Sequence, residues 1–239
     1  MFSRSAELYD FFYSFKDYAG EATRLHELIQ ARVPGALTLL DVACGTGKHL
    51  AELAGRYDVE GVDIDPRLLA IAHERLPDVP LHGADMVDFE LGRRFDAVTC
   101  LFSSVGYMNT TVNLGRAVAA MARHVRPGGL LVVEPWILAE NWQPAGVDAI
   151  FVDEPELKAA RINRSLPVGD TAVLKFHYLV GRLDAVEHFT ESHELGMFAH
   201  DDYVAAFESA DLVVEHDGDG LMGRGLYIGA APEQALLGT

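Results

Sequence analysis

Between Leu37 and Glu134 the chain repeats one pattern: a short apolar run, a tight turn, then a segment with helical spacing. Leu37–Ala43 (LTLLDVA) is apolar almost throughout and ends in Cys44-Gly45-Thr46-Gly47, the form of a parallel strand buried on both faces. Lys48–Arg56 follows with Leu50, Leu53 and Ala54 at helical spacing, and Val59–Ile64 is a second strand. Pro66 opens a helix running to about Leu76, at a position where a missing N–H costs little. Val79–His82, Phe95–Phe102 and Leu130–Glu134 are further strands. The last follows a helix over Val112–Val125, closed by Pro127-Gly128-Gly129. Regular alternation of this kind predicts a doubly wound, mostly parallel α/β sheet.

Past residue 150 the period changes. Ala159–Ser165, Ala172–Leu183 and His188–Phe198 are extended runs separated by turn residues, as expected of antiparallel strands inserted into the domain. Asp201–Ala210 returns to helix, with Asp201 near its N-cap. Leu212–His216 and Arg224–Ala230 complete the main sheet. The expected organisation is an N-terminal helical segment (1–36), a cofactor-binding α/β core (37–150), an antiparallel β insert (151–199) and a C-terminal completion of the core sheet (200–239).

Charge narrows the partners. Lys and Arg number 19 against 36 Asp and Glu, a formal net charge of −17. Such a surface repels nucleic-acid phosphates and anionic membranes at long range, so neither is expected as a partner. An anionic small molecule would need a local cluster of arginines. Cys44 and Cys100 are the two cysteines; both read as reduced thiols. The start of the chain lacks a basic, then apolar, signal pattern, and no run approaches a membrane span. A cytoplasmic setting is expected.

The strongest local signal is Asp41-Val42-Ala43-Cys44-Gly45-Thr46-Gly47, where a strand ends, the backbone turns on glycines and a helix begins. Glycine allows a cofactor to lie against the backbone. The third glycine of a dinucleotide fingerprint is missing, which disfavours an oxidoreductase. Asp63 ends the second strand 18 residues after Gly45, close to the spacing of about 20 at which an acid accepts from ribose hydroxyls. Its alternative is a surface acid capping the next helix. Asp85, after the third strand, is placed to accept from an adenine amino group while the Met86 backbone meets the ring. Met86 and Leu101 would sandwich that ring, or else both are core. Asp41, Ala43, Gly45, Gly47, Asp63, Ile64, Asp85, Met86 and Leu101 are therefore the expected cofactor contacts, with Tyr18 joining them below.

Asp41–Gly47, Asp63, Gly83–Met86 and Pro127-Gly128-Gly129 resemble the class I S-adenosylmethionine-dependent methyltransferases. That resemblance implies a seven-stranded sheet with its last strand antiparallel. Ala6–Asp10, Lys16–Tyr18, Leu40–Gly47 with His49-Leu50, Phe102–Tyr107, Val133–Trp136 and Gly223–Leu226 are similar to the N,N-dimethyltransferases of nucleotide-linked amino-deoxysugars that make macrolide dimethylamino sugars. From the resemblance, Tyr9 and Tyr18 belong to an N-terminal lid over cofactor and substrate, and Tyr107 stands beside the attacking amine. Glu134 and Trp136 form part of the sugar pocket, and Arg224 contacts the substrate diphosphate. The insert covers the site and forms a possible homodimer interface. Each role has a plainer rival: tyrosines covering core, Glu134 an exposed strand-end acid, Arg224 paired with Asp217 or Asp219. Arg161 and Arg164 are further candidate phosphate contacts, because a guanidinium matches phosphate oxygens bidentately.

Methyl transfer from a sulfonium needs alignment and exclusion of water more than acid–base chemistry. An amine needs only to lose its proton; a hydroxyl needs a stronger base. No His/Asp pair stands out beside the expected site; strand alternation could turn some of His177, His188 and His193 in the insert toward the pocket, but they read more readily as surface residues. No cluster has metal spacing. The expectation is N-methylation of a nucleotide-linked amino sugar with S-adenosylmethionine, Tyr107 acting as a positioning hydrogen-bond partner. The alternatives are an O- or N-methyltransferase of another natural product and a non-catalytic cofactor-binding protein.

Overall fold

The structure, a computed structural model, describes residues 4–143 and 146–233. Positions 1–3, 144–145 and 234–239 of the expected segments lie outside the described residues. The N-terminal segment carries a short helix α1 (Tyr9–Phe12) and α2 (Tyr18–Arg32). The core then runs β1 (Thr38–Val42), α3 (Lys48–Leu53), β2 (Asp58–Asp63), α4 (Pro66–Arg75), β3 (Leu81–Gly83), β4 (Phe95–Cys100), α5 (Thr111–Arg123) and β5 (Val125–Val133). Four strands follow: β6 (Val147–Glu154), β7 (Leu157–Val168), β8 (Thr171–Gly181) and β9 (Val186–Gly196). Helix α6 (His200–Glu208), β10 (Val213–Asp217) and β11 (Leu226–Ala230) return to the core.

The main sheet has seven strands in the order β10-β11-β5-β4-β1-β2-β3. Strand β11 is antiparallel to both neighbours and the other pairs are parallel. Successive residues of its central strands feed opposite cores, which is why those strands read as unbroken apolar runs. Leu40, Val98 and Leu131 face α5 and α6, packing with Leu114, Val118 and Phe207. Leu39, Ala97 and Val132 face α2 and α3, packing with Leu25, Ile29 and Leu50. The strand order reverses between β1 and β4, so the crevice at their carboxyl ends is the natural ligand site.

Caps set the helix starts. Asp65 accepts from Arg67 N at 2.9 Å ahead of Pro66. Asp17 accepts from Gly20 N at 3.0 Å at the start of α2. In α6 the capping acid is Asp202, whose carboxylate accepts from Ala199 N at 2.8 Å, rather than the expected Asp201. The Pro127-Gly128-Gly129 segment does not precede β5. It bulges from within the strand, between the pairs Phe95↔Val125 and Ala97↔Leu130. A Cβ on Gly129 would lie 2.8 Å from the Asp96 carbonyl oxygen, so the bulge needs glycine there.

The insert is a four-stranded antiparallel sheet, β6-β7-β8-β9, one strand more than the expected three. The extra strand, β6, lies at the edge; most of its residues are exposed and four of its eight positions carry no large apolar side chain to mark a buried face. Alternation is clear in β7 and β8, where one face is buried and the other exposed. The inner face meets the N-terminal segment: Leu8 and Phe12 pack with Val152, Leu157, Phe176, Tyr178 and Val180. Burying a side chain such as Phe12, 2 % exposed, contributes about 1.5–3 kcal/mol.

Candidate active site

Two adjoining cavities open at the carboxyl edge of the main sheet. The smaller, about 170 Å³, is bounded by Ala43, Gly45, Asp63, Ile64, Asp85, Met86 and Met108. The larger, about 460 Å³, lies between this edge and the inner face of the insert, with Phe102, Trp136, Arg161, Asn163, Phe176, His193 and Arg224 on its walls. Tyr9, Ser104 and Tyr107 line both.

The smaller cavity is built by the glycine loop and two acids. Gly45 has a φ of +58°, and a Cβ built on it meets nothing within 4 Å, so the loop leaves a cradle that a side chain would fill. Gly45 N donates to Asp63 Oδ2 at 2.8 Å, and Asp65 N donates to Asp63 Oδ1 at 2.8 Å. Burial pushes the Asp63 pKa up, and those backbone donors hold it back. Each carboxylate oxygen keeps lone-pair capacity for one more donor. Ile64, half exposed despite its size, and Met86 supply apolar walls, and Asp85 sits at the rim. An open backbone cradle, two acids for hydroxyl and amino groups, and apolar walls for a flat ring fit an adenosyl group.

The other expected cofactor contacts fall elsewhere. Leu101 belongs to the core on the α2–α3 face with Ala97 and Val132 and does not line the smaller cavity, whose large apolar side chains are Ile64, Leu68, Met86 and Met108 with Val62. Gly47, φ +74°, packs against α4, where a Cβ would lie 3.2 Å from Ala72 Cβ. Asp41 is 2 % exposed inside β1 and accepts from Thr99 Oγ1 at 2.8 Å; burial pushes its pKa up to about 6. Tyr18 stands at the head of α2, its ring 4.8 Å from that of His49, outside both cavities.

The mouth of the larger cavity is a strained turn. Phe102 and Ser103, with φ of 52° and 65°, are consecutive left-handed residues without being glycine, a conformation costing about 1–3 kcal/mol each. Three bonds hold the turn. Phe102 N donates to Glu134 Oε2 at 2.7 Å, Ser103 Oγ donates to the Pro135 carbonyl at 3.0 Å, and Arg224 donates to Ser103 Oγ at 2.7 Å. Glu134 is fully buried and sets this turn rather than lining the sugar pocket; its Oε1 has no hydrogen-bond partner. Trp136 does line the larger cavity.

Arg161 crosses from β7 into this cavity. Its guanidinium lies 4.9–5.5 Å from the rings of Phe12, Tyr13 and Phe176, and it donates to Tyr13 Oη at 3.0 Å. It is 7 % exposed, and its Nε is buried without a hydrogen-bond partner. Among the described residues no carboxylate lies within ion-pair distance of Arg161 or Arg224, so Arg224 does not pair with Asp217 or Asp219. Arg164 is a correction. Three residues along a strand inverts the face, and Arg164 is exposed on the outer side, whereas Asn163 lines the cavity. Sequence reading passed over Tyr13, Asn163 and Phe176, had Ser104 only as part of the Phe102–Tyr107 motif, and took His193 more readily for a surface residue. The signal for His193 was its period-two spacing with Glu191 and Leu195 on β9.

Among the described residues no group of three His, Cys, Asp or Glu is placed to hold a metal ion. None of their helices is long and apolar enough to cross a membrane.

Sheet order, glycine loop and the paired acids define a class I methyltransferase that uses S-adenosylmethionine, and residues 39–129 match the methyltransferase domain family. The dTDP-3-amino-3,4,6-trideoxy-alpha-D-glucopyranose N,N-dimethyltransferase of Streptomyces venezuelae is 43 % identical over 228 residues, spanning 94 % of this chain and 96 % of the relative. The crystal structure of Streptomyces venezuelae DesVI superimposes with a TM-score of 0.91 at 42 % identity, covering 97 % of this chain and all of that one. An S-adenosylmethionine-bound amino pentose methyltransferase of calicheamicin biosynthesis, from Micromonospora echinaspora, gives 0.85 at 38 %, covering 96 % and 97 %. The chain belongs to the family of dTDP-amino-sugar N,N-dimethyltransferases.

Proposed function

We propose that this chain transfers methyl groups from S-adenosylmethionine to the amino group of a dTDP-linked amino-deoxysugar, in natural-product biosynthesis. The observation that carries the reading is the pair of cations on the larger cavity. Arg161 and Arg224 lack a carboxylate partner among the described residues of a chain with net charge −17, so the cavity supplies positive charge and donors for an anionic, oxygen-rich ligand. Similarity to the sugar N,N-dimethyltransferases runs across the insert as well as the core.

Asp63 and Asp85 would hold the ribose and adenine of the cofactor, with Gly45, Ile64 and Met86 shaping the cavity. When bound, the cofactor supplies an electrophilic methyl group on a sulfonium. The chain's own residues orient and enclose. Tyr9, Ser104 and Tyr107 form the shared wall, where acceptor nitrogen and methyl donor have to meet, and Tyr107 positions the amine. Arg161 and Arg224 anchor the diphosphate or sugar oxygens, and Trp136 with Phe176 gives the sugar an apolar wall. Anchoring remote from the reacting atom turns binding energy into alignment.

Incubation with S-adenosylmethionine and a panel of dTDP-amino sugars should give mass gains of one and two methyl groups. Methylation of hydroxylated or unrelated amine acceptors in place of these sugars would favour the broader natural-product reading. Tight cofactor binding with no turnover on any acceptor would leave a binding protein. The free, buried Cys44 and Cys100 support a reducing, cytoplasmic setting. A homodimer is part of the same reading. Phe151 and Leu179 are exposed on the outer face of the insert sheet, in register on either side of Ala160, with exposed Ile162 two residues further along β7, and a second copy would cover them. A single-chain mass by light scattering would remove that element.

A further inference from the structure

The sugar nitrogen enters as an ammonium at neutral pH and has to shed a proton before its lone pair can attack. Sequence reading expected no base for this step. Strand β9 nonetheless turns Glu191, His193 and Leu195 to the inner face of the insert. His193, 3 % exposed, lies with Nδ1 2.7 Å from Tyr107 Oη, and its Nε2 is 3.7 Å from Glu191 Oε2. Tyr107 lines both cavities, so the residue bonded to the imidazole stands at the wall where acceptor and methyl donor have to meet.

The groups around the ring keep it ready to accept. Tyr107 approaches from the 3₁₀ turn Ser104–Met108, Glu191 from the same strand, and Arg161 from β7; the Phe176 ring of β8 packs edge-on at 5.0 Å. Burial pushes the His193 pKa down; Glu191 opposes this, and the nearby Arg161 charge adds to the lowering. The imidazole is therefore neutral at pH 7. Burial pushes the Tyr107 pKa well up, so the phenol keeps its proton and donates it to Nδ1. Nε2–H then points towards Glu191, which accepts from Arg4 N at 2.8 Å, Ser5 N at 3.2 Å and Ser5 Oγ at 2.5 Å. Those donors fix the carboxylate that would face an imidazolium.

Resting on the amino-sugar reading above, we propose that His193 takes up the proton of the sugar ammonium through the Tyr107 hydroxyl, with Glu191 holding and neutralising the ring. The N–H bond of the ammonium breaks as its proton forms a bond to Tyr107 Oη. The phenol's own proton passes to His193 Nδ1, and the positive charge moves from substrate nitrogen to imidazolium. The lone pair left on nitrogen is the nucleophile, and the ring returns its proton to solvent when product leaves. Each methylation yields a protonated amine, so a second methyl needs the same relay again. His193 acts through Tyr107 and is a positioning residue; it does not touch the methyl donor.

The test is the pH profile of kcat on a dTDP-amino sugar that the wild type methylates. His193→Gln should lower kcat about ten- to hundredfold at pH 7, and the deficit should close towards about pH 9.5, where solution supplies the free amine. Tyr107→Phe should give the same profile, and the double variant should be no slower than the worse single one. Cofactor affinity of His193→Gln by calorimetry should not change, since His193 lines only the larger cavity. An unchanged kcat, or a loss equal at all pH values, would overturn the relay. Imidazole NMR of the enzyme without acceptor is independent of the substrate reading. The His193 ring should titrate below the ordinary histidine range and respond to Tyr107→Phe. An ordinary titration, or no response, would also overturn it. Wild-type inactivity on every amino sugar would instead refute the substrate assignment, with the NMR result still deciding the bonded chain.

Discussion

Asp41 and Asp63 both lie near the carboxyl ends of strands beside the glycine loop, yet their surroundings give them opposite tasks. Asp63 lines the smaller cavity and already fixes Gly45 N, so Asp63→Ala should weaken S-adenosylmethionine binding by about ten- to hundredfold, the cost of losing charged hydrogen bonds. Calorimetry measures this, and unchanged affinity would take Asp63 out of the ribose site. Asp41 is enclosed in β1, and burial raises its pKa from 3.8 to about 6. A raised carboxyl pKa means the folded state prefers the protonated form. The group's stability contribution is complete below about pH 4 and is lost as pH rises through 6. Asp41→Asn removes that loss while keeping an acceptor for Thr99 Oγ1. The variant should gain stability over wild type between pH 4 and 6, then hold an advantage on the order of 2 kcal/mol at pH 7.5. Urea unfolding at pH 4.5 and 7.5 decides it, since parallel curves would show Asp41 to be unperturbed. Motif reading treated the two acids alike because a motif records spacing, not enclosure.

At the scale of elements, legibility follows the strength of the period. The parallel strands stand out because both faces are buried, and β7 to β9 because one face is. Edge strand β6 escaped, its residues mostly exposed and its apolar stretch only four residues long between Asp148 and Asp153. Period two also decides which arginine serves the site. Arg161 shares the inner face with Asn163, while Arg164 is paired across the outer face with Val147 and Lys175. Arg161→Ala should raise KM for the nucleotide sugar at least tenfold with little change in cofactor affinity, since a buried charge–oxygen contact is lost. Arg164→Ala should leave KM within about twofold. Equal effects from both would place the anionic part of the substrate outside this cavity. The insert histidines illustrate the same point: His177 and His188 stack on the outer side, 5.6 Å apart, while His193 turns inward on strand parity alone.

Across the whole molecule, contacts between distant parts of the sequence close the site, and no local pattern records them. The N-terminal segment is tied at both ends. Glu191 of the insert accepts from Arg4 and Ser5, while Asp10 of α1 accepts from Thr46 Oγ1 at 2.7 Å and pairs with Arg75 at the end of α4. Arg75 also donates to the Thr46 carbonyl, so one guanidinium clamps segment, glycine loop and helix together. Tyr9, adjacent to Asp10, lines both cavities, and its placement depends on this clamp. Arg75→Ala leaves the half-buried Asp10 without its cation and frees the loop at Thr46. Cofactor affinity should fall about five- to thirtyfold, and amide exchange should rise over residues 8–13. Arg182→Ala is the matched control. Its guanidinium lies 3.6 Å from Glu7 in an exposed pair, which contributes little, so affinity should stay within about twofold. If both variants bind the cofactor as wild type does, the segment is held by the packing of Leu8 and Phe12 on the insert alone, and the ion pairs only decorate a closure that apolar burial already enforces.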